Sequence, residues 1–216
     1  MRLQGVTSFL KRTRFCRNLQ PHSRLRPSYL RWLLSGKGGS PPHIVKQKIV
    51  KEYAKQYNLR VFVETGTCGG DMVNAVKDTF QEIHSIEIGE DLYQRAKSRF
   101  SGLGGISIHK GDSADILPVI LDQVKEPVLF WLDAHYSGGG TARGELDTPV
   151  VRELGHILAH RVRQHVILVD DARCFVGEHD YPTMEELQSL VQRKRPGSQF
   201  EVKDDIIRIH VQPQAR

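Results

Sequence analysis

Beyond residue 42 the apolar positions alternate between a helical period and short extended runs. Val45, Ile49, Val50, Tyr53 and Tyr57 recur at helical spacing and predict an amphipathic lead-in helix. Residues 60–64 (RVFVE) are an apolar run ending on an acid, and Met72, Val73, Val76 and Phe80 return to helical spacing. Residues 83–88 (IHSIEI) predict a second strand, and 91–100 a helix with Asp91 as N-cap and Gln94 at its capping-box position. A third strand is expected at 106–109, followed by a helix after Asp112 running through Val124. Residues 128–132 (VLFWL) are apolar on both faces, as a buried parallel strand requires. A Gly-rich loop follows, then a helix with Val151, Leu154, Ile157 and Leu158 on one face, and a fifth strand at 166–169. Thr183 and Glu186 spell a capping box that opens a helix through Leu187, Leu190 and Val191. Residues 200–202 and 206–211, joined at Asp204–Asp205, alternate with period two and predict a hairpin.

Strand and helix therefore alternate five times. The expected fold is α/β: a Rossmann-like doubly wound, mostly parallel sheet with helices on both faces and a C-terminal antiparallel hairpin.

Charge divides the chain. Residues 1–51 hold 12 of the 31 Lys/Arg and none of the 25 Asp/Glu, so the overall net of +6 comes from the N-terminal end and the rest is mildly acidic. Residues 35–42 (SGKGGSPP) read as a linker. The expected division is a basic arm and linker at 1–41 and one folded domain at 42–216. An acid-free, Arg- and Ser-rich arm is open to several readings. One is a poorly ordered tail with a short lid helix around 29–34. Others are an organellar targeting segment, or a contact for nucleic acid or an anionic membrane through residues 1–40. No stretch reaches the ~18 apolar residues of a membrane span. The three cysteines lack CxxC spacing, which argues against a disulfide framework or zinc site and leads us to expect a reducing, cytoplasmic setting. A homo-oligomer is left open.

Candidate chemistry gathers where strands end. In an open parallel sheet, ligands bind beyond the carboxyl ends of the strands. After the first strand the chain reads Glu64-Thr65-Gly66-Thr67-Cys68-Gly69-Gly70 and enters a helix. Glycines let the backbone turn and a ligand approach closely. Glu87, at the end of strand two, suits a carboxylate that accepts both ribose hydroxyls. Asp112, in Gly111-Asp112-Ser113 after strand three, is placed to meet an adenine edge. The loop does not supply G-x-G-x-x-G: Cys68 and Asp71 stand at the second and third glycine positions counted from Gly66. An acid is unwelcome beside a pyrophosphate but suits a cationic ligand, such as a sulfonium with an amino-acid tail. The bland alternative is that the acids cap strands and Gly69–Gly70 is only a turn.

On these residues, 60–211 resemble a class I S-adenosylmethionine-dependent methyltransferase. The signature is an acid-led glycine loop, acids after strands two and three, and a closing antiparallel hairpin. An acid after strand four, paired with a double acid after strand five, is similar to macrocin-type, sugar-modifying O-methyltransferases. Cys68 departs from that pattern, where glycine is common. The resemblance implies S-adenosylmethionine as cofactor, cradled by Glu64, Thr65, Gly66, Thr67, Gly69 and Gly70, with Glu87 on the ribose, Asp112 and Ser113 on the adenine, and Asp133 beside the methyl end.

Strand four ends in Asp133-Ala134-His135 and strand five in Asp170-Asp171. With those strands adjacent, Asp133, Asp170 and Asp171 converge, and three close carboxylates need a proton or a cation. Hard oxygen donors suit Mg²⁺, and the macrocin-type enzymes use such a metal site. Alternatively Asp133 only positions cofactor or substrate, and Asp170 or Asp171 caps the next segment. Asp133 and His135 are the catalytic candidates, His135 as base because its pKa works near neutrality. The glycine run 137–141 beside them reads as a lid. The expected activity is methyl transfer to a hydroxyl of a small molecule, a sugar or glycosylated metabolite. The alternatives are an RNA or protein methyltransferase guided by the basic arm and a non-catalytic binding protein of the same fold.

Overall fold

The strands form where short runs of Val, Ile, Leu and Phe are bounded by polar turns, and the helices where the apolar period returns to 3.6. The structure, a computed structural model, describes residues 25–36, 39–134 and 148–211. Its strands are β1 (Val61–Thr65), β2 (Glu82–Glu87), β3 (Ile106–Lys110), β4 (Val128–Leu132), β5 (Val166–Val169), β6 (Gln199–Lys203) and β7 (Ile206–His210). Its helices are α1 (Leu25–Leu34), α2 (His43–Gln56), α3 (Asp71–Val76), α4 (Glu90–Arg99), α5 (Ser113–Gln123), α6 (Val150–Ala159) and α7 (Met184–Lys194). The sheet order is β3-β2-β1-β4-β5-β7-β6, parallel throughout except for β7, which runs antiparallel to β5 and β6. Chain order reverses between β1 and β4, so the loops after those strands diverge and open a crevice between them.

Side-chain alternation divides the core. Phe62, Leu129, Trp131 and Leu168 face α2 and α3, where they meet Ile49, Val50, Met72 and Val76. Val63, Phe130, Ile167 and Val169 face α5, α6 and α7, where they meet Leu117, Leu154, Ile157 and Leu187. Burial of each such side chain stabilises the fold by roughly 1.5–3 kcal/mol. Alternation also places Glu64 on the same face of β1 as Phe62 and Thr65 on the same face as Val63.

Several local expectations hold and others shift. Thr183 and Glu186 form the full capping box of α7. Asp204 and Asp205, with φ of 53° and 60°, make the hairpin turn, a conformation Asp tolerates well. Asp91 is not the N-cap of α4: that position is Gly89, without a side-chain cap. The Gly89 N–H is already taken by Glu87 Oε1 at 2.7 Å, which starts the helix at Glu90, and Gln94 bonds the Glu90 carboxylate instead. Helix α3 ends at Val76, short of Phe80, whose ring stacks on Phe62 with centroids 5.0 Å apart. The helix expected around 29–34 begins earlier, at Leu25.

Candidate functional site

The loop after β1 is built on hydrogen bonds from within. Ser85 Oγ donates to Glu64 Oε2 at 2.5 Å, and Thr67 Oγ1 lies 2.6 Å from Ser85 Oγ, so three buried side chains form one chain. Asp133 N–H donates to both the carbonyl and the hydroxyl of Thr65, at 3.1 and 3.3 Å. The side chains of Thr65 and Thr67, both expected at the cofactor, thus support the loop from inside. Gly66 has φ +86°, and a Cβ there would lie 2.7 Å from the Asp133 carbonyl oxygen, so the loop passes β4 only as glycine. Gly70 (φ +74°) stands at the N-cap of α3, where a Cβ would meet the Phe100 ring at 2.6 Å. Around Gly69 a Cβ would meet nothing within 4 Å; the loop is open to a ligand there.

Glu64 is buried, and among the described residues no lysine or arginine pairs with it. Burial pushes its carboxyl up to about 8, against the pull of the Ser85 hydrogen bond. A buried acid with a hydroxyl donor and no counter-cation suits a cationic ligand. Glu87 accepts Cys68 N–H at 2.8 Å through Oε2 while Oε1 holds Gly89, tying the loops after β1 and β2 together. Asp112 caps α5 by accepting from Ala114 N–H at 2.8 Å. Ser113, the first residue of α5, is buried.

At the ends of β4 and β5, Asp133, Asp170 and Asp171 offer carboxylate oxygens that all lie within 4.8 Å of one another. The expected convergence is therefore present. Two cations already touch the cluster. Lys46, from α2, forms an ion pair with Asp170 Oδ2 and lies 3.9 Å from Asp171 Oδ1. Arg173 holds Asp171 Oδ1 at 2.8 Å and pairs with Asp205 of the β6–β7 turn. Asp171 stands at φ 56°, ψ 47°, which turns the chain sharply out of β5. Asp170 is 4% exposed, and its Oδ1 has no hydrogen-bond partner among the described residues. Burial and then Asp133 push the Asp170 carboxyl up, while Lys46 pulls it down. Burial alone would lower the Lys46 amine, but Asp170, Asp133 and Asp171 together raise it. The pair shares a proton, and we place it on Lys46, the stronger base, in hydrogen-bond contact with Asp170.

A pocket of about 220 Å³ including its open mouth lies beside this cluster, lined by Asp133, Asp170, Thr148, Glu153, Phe175 and Tyr181, among others. Glu153, on α6, is 1% exposed, with the Ser113 and Thr65 hydroxyls its nearest polar neighbours. Burial pushes it up to about 7; the nearby Ser113 and Thr65 hydroxyls favour its charged form, and Asp112 and Asp133 oppose that.

His135, expected as the base, lies outside the described residues, as do the glycine run 137–141 and residues 1–24 of the arm. Sequence reasoning missed Lys46, Glu153, Ser85 and Asp205. Glu153 was legible in part, as an acid one turn into α6 on its apolar side; Lys46 carried no signal, since a lysine on an amphipathic helix normally faces water.

No protein-family model matches the sequence, and no curated protein matches it. Among solved structures the chain has the fold of class I methyltransferases. It is similar to the O-methyltransferase TomG of Streptomyces achromogenes, solved with S-adenosylmethionine, with a TM-score of 0.55 at 16% identity over 89% of this chain and 92% of that one. An O-methyltransferase of Bacillus cereus, in complex with S-adenosylhomocysteine, gives 0.58 at 14% identity, covering 89% and 93%. A putative O-methyltransferase of Klebsiella pneumoniae gives 0.53 at 14%, covering 91% and 93%. The fold expected from the sequence resemblance is the one observed.

Proposed function

We propose that the protein transfers a methyl group from S-adenosylmethionine to a hydroxyl of a small polyhydroxylated acceptor, a sugar or glycosylated metabolite as in macrocin-type enzymes, with a divalent ion at the acidic cluster. The observation that carries this reading is the buried Glu64 carboxyl, without a counter-cation among the described residues, at the base of a glycine loop open at Gly69. It lies in the fold shared with the O-methyltransferases above.

Glu64 and the loop to Gly70 hold the cationic amino-acid end of the cofactor, Glu87 the ribose, and Asp112 with Ser113 the adenine. The Ser113 hydroxyl is buried beside the Asp112 cap, in reach of an adenine held there. Asp133, on the pocket wall, is assigned to the methyl end. Reaction forms the bond from the acceptor oxygen to the methyl carbon while the sulfur–carbon bond breaks, leaving a neutral thioether. The acceptor's proton passes to a base, for which we assign His135. The donor set of Asp133, Asp170 and Asp171 fits Mg²⁺, all hard oxygen, with Asp170 Oδ1 unclaimed. When bound, such an ion lowers the pKa of an acceptor hydroxyl. The protein's own part is to hold both reactants in line and to exclude water, the larger share of catalysis where chemistry needs only orientation.

Calorimetric titration with S-adenosylmethionine, with and without Mg²⁺, tests this on wild type and on an Asp170→Ala/Asp171→Ala variant. Micromolar cofactor binding in both, with the Mg²⁺ response lost in the variant, is the expected result. Folded wild-type protein that binds no S-adenosylmethionine overturns the reading.

A further inference from the structure

The acidic cluster holds a resident cation. Lys46 reaches it from α2, 124 residues away in sequence, and its side chain is only 12% exposed. Its Nζ bonds Asp170 Oδ2 and lies 3.9 Å from Asp171 Oδ1, so it shares the space the three carboxylates enclose. The other cation, Arg173, is held differently. It bridges Asp171 to Asp205, and its backbone N–H bonds Asp205 Oδ1 at 2.9 Å, so it belongs to the frame of the hairpin turn. Among the described residues the ion pairs of Lys46 are with the cluster itself, Asp170 and Asp171, rather than with the hairpin frame, and lysine is a compact charge on a flexible stem. An ammonium and a divalent ion repel strongly at this separation in a half-buried site. Asp170 Oδ1, buried, unpartnered and on the pocket wall, remains as the ligand atom that Lys46 leaves open.

We propose that Lys46 is a tethered counter-cation that competes with the divalent ion for Asp170 and Asp171, and so sets the metal affinity of the site. The inference rests on the metal-assisted reading above. In the metal-free protein Lys46 neutralises Asp170 and keeps the cluster from repelling itself apart. When a divalent ion binds, the ammonium swings out toward solvent along the edge of α2.

Mn²⁺ is the probe, because its bound and free forms are distinguished by electron paramagnetic resonance. Wild type, Lys46→Met and Lys46→Met/Asp170→Asn are titrated, each checked for folding by circular dichroism. Removal of Lys46 is expected to tighten Mn²⁺ binding at least ten-fold, and the added Asp170→Asn to abolish the gain. Unchanged or weaker binding by folded Lys46→Met, or no binding by any of the three proteins, overturns the proposal. A measurement on wild type stands even if the variants do not fold. Acetylation by an amine-directed reagent, read by mass spectrometry, is expected to rise several-fold at Lys46 when Mn²⁺ is added, with Lys48 and Lys51 unchanged. Labelling at Lys46 that stays constant or falls with Mn²⁺ refutes displacement. S-adenosylhomocysteine binding, titrated on the same wild-type sample, separates the outcomes. Its presence with a failed Mn²⁺ result sinks only the role of Lys46, and its absence sinks the methyltransferase reading.

Discussion

Ser85, on β2, donates its hydroxyl hydrogen to Glu64 Oε2 at 2.5 Å, a bond that crosses from the second strand to the first. It satisfies one oxygen of the acid without supplying a positive charge. Burial therefore holds the carboxyl at about 8 even though the Ser85 bond pulls it down.

From this follows a proton signature of cofactor binding. At pH 7 Glu64 is mostly protonated, and a cationic ligand beside it favours the ionised form, so binding releases a proton. Calorimetry of S-adenosylmethionine binding in buffers of different ionisation enthalpy reads this directly. Glu64→Gln is expected to abolish that part of the release and weaken binding by roughly 10- to 100-fold, or about 1.4–3 kcal/mol. The same proton count in wild type and variant would rule the role out.

The two glycines of the loop should respond oppositely. Gly66→Ala drives a methyl against the Asp133 carbonyl at positive φ, and is expected to destabilise the fold by about 1–3 kcal/mol in thermal melts. Gly69→Ala meets no protein atom within 4 Å, so its melting temperature should stay near wild type while S-adenosylhomocysteine affinity falls. A normal affinity in Gly69→Ala would place the ligand elsewhere.

Glu153 predicts a pH dependence of stability. Burial raises its carboxyl from 4.5 to about 7, so the native state keeps its proton better than the unfolded chain does. That contribution is complete below pH 4.5 and is lost as pH rises through about 7, on the order of 3 kcal/mol in all. Glu153→Gln, neutral at every pH, should melt close to wild type at pH 4.5 and several degrees above it at pH 8. Melting temperatures that keep a constant difference across that range would contradict the assignment.

Arg195 is a structural charge with a large expected cost of removal. Its buried guanidinium donates to the carbonyls of Ile157, Leu158, His160 and Val162, closing the C-terminal end of α6. Arg195→Met leaves those carbonyls unpaired, and we expect a loss of about 3 kcal/mol, roughly 10 °C in melting temperature. Cofactor affinity should be unaffected. A melting temperature within a degree or two of wild type would show that water replaces the guanidinium.

Local patterns settled much of this protein before any packing was known. The five parallel strands, the capping box at Thr183 and the Asp204–Asp205 turn were legible because each depends on neighbours a few residues away. Acids at the strand ends were legible for the same reason: a parallel strand delivers its C-terminal residue to one edge of the sheet. The N-cap of α4 was misplaced by two residues, Asp91 for Gly89, because the Glu87–Gly89 bond joins a strand end to a helix start, which no capping template contains. Tertiary structure alone decided which polar groups meet. The reversal of strand order between β1 and β4 puts Glu64 near Asp133, and the pairing of β4 with β5 adds Asp170. Strand alternation aims Asp170 at the α2 face, where Lys46 waits, and the packing of α6 buries Glu153 beneath the pocket. Polar groups that meet across 21 to 124 residues of sequence leave no periodic trace along it, since Coulomb interaction depends on distance in space and on burial, which only the folded chain fixes.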